Sequence, residues 1–202
     1  MLGEIFNANF LNRILILLPG ILIGLSFHEF AHAFSSVKLG DPTPREQGRL
    51  TLSPLVHVDI IGFIMLLFVG FGWAKPVQIN PRYYKNPVRD EMIVSVAGPL
   101  TNLALSIIFA MILKVYISFG FTQISSPGIS EIIIQIIEYA IFINIVLFIF
   151  NLFPVPPLDG SHIFLNLIPR KYFKVKMFLN RYGFIIIILL LLSGLLSHLI
   201  FT

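Results

Sequence analysis

Apolar residues in this chain gather into long blocks rather than alternating with polar ones. Four blocks are long enough to cross a membrane, at about 14–36, 92–113, 132–153 and 182–201. Stretches such as "IFINIVLFIFNLF" and "FIIIILLLLSGLL" carry no charge, and about 20 such residues in a helix cross the roughly 30 Å of hydrocarbon in a bilayer. A fifth block, 55–72, is shorter. It begins with His57 and Asp59 and is interrupted by Gly62, Gly70 and Gly72. Irregular backbone survives at membrane depth where it is buried in protein or lines a wet cavity, so this block reads as a span or as a segment that enters and returns. The polar connections at 38–54, 73–91, 118–131 and 168–181 are all shorter than the roughly 50 residues of a small soluble domain. The pattern predicts an all-α polytopic membrane protein forming a single domain over 1–202. It has about four full transmembrane helices, with a re-entrant hairpin or short β element at about 55–72 between the first two.

Composition agrees. Hydrophobic residues make up 56% of the 202 positions and charged residues 12%, against about 25% charged in soluble domains. The net charge of +4 is read as basic loops orienting the chain; no basic helix or aromatic reading surface points to nucleic acid. The absence of Cys removes disulfides and thiolate metal ligands. The first block is too long for a cleaved signal peptide, contains a polar cluster, and has no small-residue cleavage pattern after it.

That cluster lies in "GLSFHEFAHAFSS" (24–36). An ionisable side chain at the centre of a membrane helix costs about 2.5–3.5 kcal/mol even on lenient scales, and three occur here within five residues. His28, Glu29 and His32 form H-E-x-x-H. On a helix the two imidazoles project from one face and can hold a single Zn²⁺, while Glu29 beside them can take a proton from water. A catalytic zinc site usually adds a third protein ligand and keeps one position open. Candidates in or beside apolar segments are His57, Asp59, Glu138, Asp159, His162 and His198. Asp159 follows the break made by Pro154, Pro156 and Pro157, and His162 would serve equally well by residue type.

H-E-F-A-H followed far downstream by "NLFPVPPLDG" (151–160) resembles the site-2 protease family of intramembrane zinc metalloproteases. The resemblance covers most of the chain. "LGDPTPREQGRLTLSPLVHVDIIG" (39–62), "GWAKPVQINP" (72–81) and "AGPLTN" (97–102) are similar to the short bacterial and archaeal members. It implies His28, His32 and Asp159 as zinc ligands and Glu29 as the catalytic acid/base. Asn151 is implied in positioning substrate or the oxyanion. The substrates it implies are single-pass membrane proteins already shortened by another protease.

A shared zinc site restricts topology. His28 and His32 lie late in the first block, and Asp159 follows the end of the third. The two helices must run in the same direction, which holds if 55–72 does not cross. Twelve of the 14 Lys and Arg then face one side, leaving Arg13 and Lys114 on the other; a crossing 55–72 would give ten and four. The positive-inside rule favours the first arrangement. It places the protein in the cell membrane with the active site toward the cytoplasmic side.

Among other polar residues, Asn102 is a candidate for holding substrate or a loop near the metal, or else a helix-start group bonded to nearby backbone. His57 and Asp59 are expected to tie the 55–72 element together, and Asn144 to bond across helices. Glu138 has no specific account. His198, Trp73, Tyr83 and Tyr84 fit interfacial positions, and "RKYFKVK" (170–176) fits a cytoplasmic anchor on anionic lipid. The leading function is an intramembrane zinc endopeptidase. The alternative is a catalytically inactive membrane chaperone or regulatory protein retaining the fold; a zinc or proton transporter ranks last, because the polar groups concentrate toward one face.

Overall fold

The computed structural model describes residues 8–69, 72–121 and 126–193. Gly70, His198 and the end of the 182–201 block lie outside them. Helix α1 runs Ala8–Lys38, followed by the short α2 (Thr43–Glu46) and α3 (Pro54–His57). Next come α4 (Ile60–Val69) and α5 (Pro87–Ser118), then α6 (Pro127–Asn151), α7 (Asp159–Leu167) and α8 (Phe173–Leu192). Among the described residues there is no strand; one isolated antiparallel bridge joins Val58 to Ala74.

Among the described residues, three helices are long and apolar enough to cross a membrane: 14–38 within α1, α5 and α6. They pack against one another, and α7 packs on α5. Their inner faces carry many polar groups, with Ser26, His28, Glu29, His32 and Ser36 buried on α1, Ser95, Asn102 and Ser106 on α5, and Ser130 and Asn144 on α6. Their outer faces are apolar. Ile107, Ile108, Met111 and Ile112 on α5 are exposed, as are Ile132, Phe142 and Ile145 on α6. A water-soluble protein rarely exposes so much contiguous apolar surface, whereas lipid tails solvate it. Glu138 is exposed on the same outward side of α6.

The helices outrun the apolar blocks, because hydropathy marks hydrocarbon depth while hydrogen bonding continues into polar flanks. The third is cut short by local chemistry. Pro154, Pro156 and Pro157 cannot extend a helix, and a residue preceding proline is pushed away from helical angles. α6 therefore stops at Asn151, and the turn that follows delivers Asp159 as the first residue of α7.

The 55–72 block divides into α3 and α4. Ten residues of α4 rise roughly 15 Å at 1.5 Å each, about half the hydrocarbon thickness. His57 accepts the Lys75 amide on its carbonyl oxygen at 2.7 Å. Its ring Nε2 donates to the Thr51 carbonyl at 2.8 Å, while Asp59 Oδ1 accepts from the Gly62 amide at 2.8 Å. Both side chains thus tie this element together. Gly62 lies against the Trp73 backbone, where a Cβ would collide with the carbonyl oxygen. Tyr84 departs from an interfacial place: it is buried, with its hydroxyl 2.7 Å from Ser36 Oγ.

Candidate metal centre

His28 and His32 stand one helical turn apart on α1, and Asp159 reaches them from α7. His28 Nε2 lies 3.0 Å from His32 Nε2 and 3.1 Å from Asp159 Oδ2, and His32 Nε2 lies 3.3 Å from the same oxygen. Ligand atoms held about 2.0–2.1 Å from a tetrahedral ion sit roughly 3.3 Å apart. The spacing matches three corners of such a site.

The outer nitrogens decide what the inner ones can do. His28 Nδ1–H donates to Asn102 Oδ1 at 2.6 Å, and His32 Nδ1–H donates to the Val94 carbonyl at 2.8 Å. Each neutral ring therefore turns an unprotonated Nε2 inward. Two lone pairs and a buried carboxylate oxygen without a hydrogen-bond donor face one another, which repels unless a cation sits between them. The three residues fit a divalent ion such as zinc. His162, chemically as good a ligand, is not in the group; its Nδ1 donates instead to Glu91 Oε1 at 3.0 Å.

The Asn102 amide is oriented in turn. Its Nδ2 donates to the Gly24 carbonyl at 3.1 Å and to Asn144 Oδ1 at 2.9 Å, and Asn144 Nδ2 donates to the Ala140 carbonyl at 2.8 Å. With both amide protons engaged, Asn102 can only present its oxygen to His28. It is fully buried behind His28 rather than among the residues lining the cavity. Gly98 permits the close approach of α5, since a Cβ there would overlap both imidazoles.

Glu29 Oε2 accepts the Val77 amide at 2.9 Å. This fastens the extended segment after Trp73 across the metal group. Glu29 and the three ligand residues line a cavity of about 590 Å³ whose other walls include Leu25, Leu147, Phe150, Phe184 and Ile187. Asn151 also lines it, half-buried, with Nδ2 donating to the Leu147 carbonyl at 3.0 Å.

Three side chains able to hold a metal ion, an adjacent carboxylate and an apolar cavity thus meet within a bundle of apolar helices. The model of peptidase family M50 matches residues 16–190. The chain belongs to this family. A Bacillus subtilis relative named "Putative zinc metalloprotease YwhC" is 38% identical over 88% of this chain and 80% of its own length. Two relatives carrying the same description are Rip2 of Mycolicibacterium smegmatis, 25% identical over 91% of this chain and 69% of its own, and MJ0611 of Methanocaldococcus jannaschii, 29% identical over 69% and 64%. No solved structure gives a significant match. The M50 match takes in every residue of the metal group and Glu29, so the family's protease class and the site's geometry coincide.

Proposed function

We propose that this M50 protein is an intramembrane zinc endopeptidase that cleaves membrane-embedded segments. The observation that carries it is the His28–His32–Asp159 group beside Glu29, opening on an apolar cavity among helices whose outer faces are apolar. Zinc, when bound, polarises the scissile carbonyl and lowers the pKa of water. Glu29, held on Oε2 by the Val77 amide, takes the attacking water's proton on its other oxygen and passes it to the leaving amine. Asn151 offers Oδ1 to a substrate N–H, and Asn102 acts through His28 by fixing its tautomer.

A cavity of about 590 Å³ is of the size that holds a small molecule. It admits a short unwound segment, and a substrate with bulky flanking domains needs prior trimming by another protease. The extended chain between Trp73 and Asn80 supplies an edge to which such a segment can add as a strand. The bridge between Val58 and Ala74 brings together the two ends of the block containing α4. A segment that returns to its starting level is re-entrant, which supports four spans including α8 and the metal group toward the basic, cytoplasmic side.

The test is cleavage of a tagged single-pass membrane protein in proteoliposomes by wild type and Glu29→Gln, with zinc content measured. Zinc-dependent cleavage lost in Glu29→Gln is expected. Equal cleavage by both would refute the mechanism, and zinc binding without cleavage would favour the non-catalytic alternative.

A further inference from the structure

Among the described residues, the cavity has one titratable side chain beyond the three ligands and Glu29: His162. It stands on α7 three residues after Asp159, and so on the ligand's face of that helix. Its Nδ1–H bonds Glu91 Oε1 at 3.0 Å, and Glu91 Oε2 accepts from Asn166 Nδ2 at 3.2 Å. Glu91 belongs to α5 and does not line the cavity. The ring is therefore anchored from behind by a carboxylate that is itself held. The second ring nitrogen, Nε2, has no protein partner among the described residues, and the side chain is 46% exposed.

Hydrolysis of a peptide bond builds negative charge on the carbonyl oxygen as water adds. A fixed donor aimed there lowers the barrier. Of other polar side chains at the cavity, the Ser95 hydroxyl donates to the Glu91 carbonyl, and Asn151 has given one of its two amide protons to Leu147.

Resting on the peptidase reading, we infer that His162, held by Glu91, is a further catalytic residue that donates Nε2–H to the scissile carbonyl oxygen. That proton is present when the ring is an imidazolium. The hydrogen bond to Glu91 lifts the ring above its usual range against partial desolvation; Asp159 adds to the lift and His32 on α1 opposes it. Lys176 on α8 acts on the pair through Glu91. The arrangement makes Glu91 a positioning residue and His162 the group that touches substrate.

The test compares wild type, His162→Phe, His162→Gln and Glu91→Gln as full-length protein in proteoliposomes. It uses a tagged single-pass substrate, a phosphinic peptide that mimics the tetrahedral oxyanion, and 1,10-phenanthroline as a chelator. His162→Phe is expected to lower kcat by about 10²-fold. Phosphinic affinity should fall in parallel, while KM, zinc content and phenanthroline sensitivity hold. His162→Gln, which keeps an N–H donor, recovers part of the loss and lacks the wild-type decline in kcat at alkaline pH. Unchanged kcat and phosphinic affinity in His162→Phe would overturn the inference, as would loss of zinc in step with activity, which marks a purely structural role. Failure of the peptidase reading itself looks different: wild type would be no more active than Glu29→Gln.

Discussion

Replacing Asn102 with Leu separates the metal site from the chemistry it supports. The substitution deletes the acceptor 2.6 Å from His28 Nδ1, so the ring is free to move its proton to Nε2, the atom required for coordination. Loss of an outer partner to a metal-bound histidine lowers affinity by about 10–100-fold, which is about 1.4–2.7 kcal/mol. The same change strips the donor from Asn144 Oδ1. Such amide bonds average only about 0.6 kcal/mol in membrane helices, so the fold is expected to survive. Asn102→Asp restores an acceptor for His28 but cannot donate to both Gly24 and Asn144. Zinc affinity should then recover toward wild type while thermal stability does not. Chelator-competition titration gives the zinc affinity, and unfolding of the apo protein in detergent gives the stability. Wild-type zinc affinity in Asn102→Leu would refute the orienting role, as would affinities that simply track stability across both variants.

Two further outcomes follow from packing and charge. Gly98→Ala places a methyl group against both imidazoles and should abolish stoichiometric zinc binding, read by metal analysis; a fully loaded protein would contradict the close approach of α5. Asp41 is buried after α1. Burial alone would raise its pKa, but donors from Thr43, Asn80 and Ser36 outweigh it and hold it below the usual carboxylate range. A carboxylate with a depressed folded-state pKa adds stability above its unfolded pKa and loses it as pH falls through the folded one. Asp41→Asn should therefore lower the unfolding temperature at neutral pH and flatten its decline below pH about 4; an unaltered acid profile would count against this.

The pairing of His28 with His32 was legible because helical geometry fixes what H-E-x-x-H presents: two imidazoles four residues apart share a face whatever surrounds them. Asp159 was legible only in part. The prolines announced a break, but nothing in residue type ranked it above His162, and the separation came from Glu91, which captures His162 Nδ1 from another helix. Three of the four expected spans were found among the described residues, while their ends were not, since apolarity reports depth rather than hydrogen bonding. The Val94 carbonyl on His32 and the Val77 amide on Glu29 left no trace, because main-chain groups are the same at every residue. The pairing of Asn102 with Asn144 was likewise hidden: either amide could have met several neighbours, and only the packing of α5 on α6 selects one.

Such partners also explain how the chain can place two imidazoles and two carboxylates where lipid is expected. The cost of burying them is offset in part by bonds to the outer atoms of His28, His32 and Glu29, and those bonds come from different elements. α5 supplies Asn102 and Val94, α6 supplies Asn144, the segment after Trp73 supplies Val77, and α7 carries Asp159. No two of these elements complete the site. A metal bound by such a site favours the docking of α7 on α1, because His28 and His32 come from α1 and Asp159 from α7. Metal loss should accordingly loosen the contact of α7 with α1 before it disturbs the packing of α1 on α5, while Glu91 keeps α7 on α5. α7 meets α1 at the metal group, whereas α1, α5 and α6 are also joined by buried amides that need no ion.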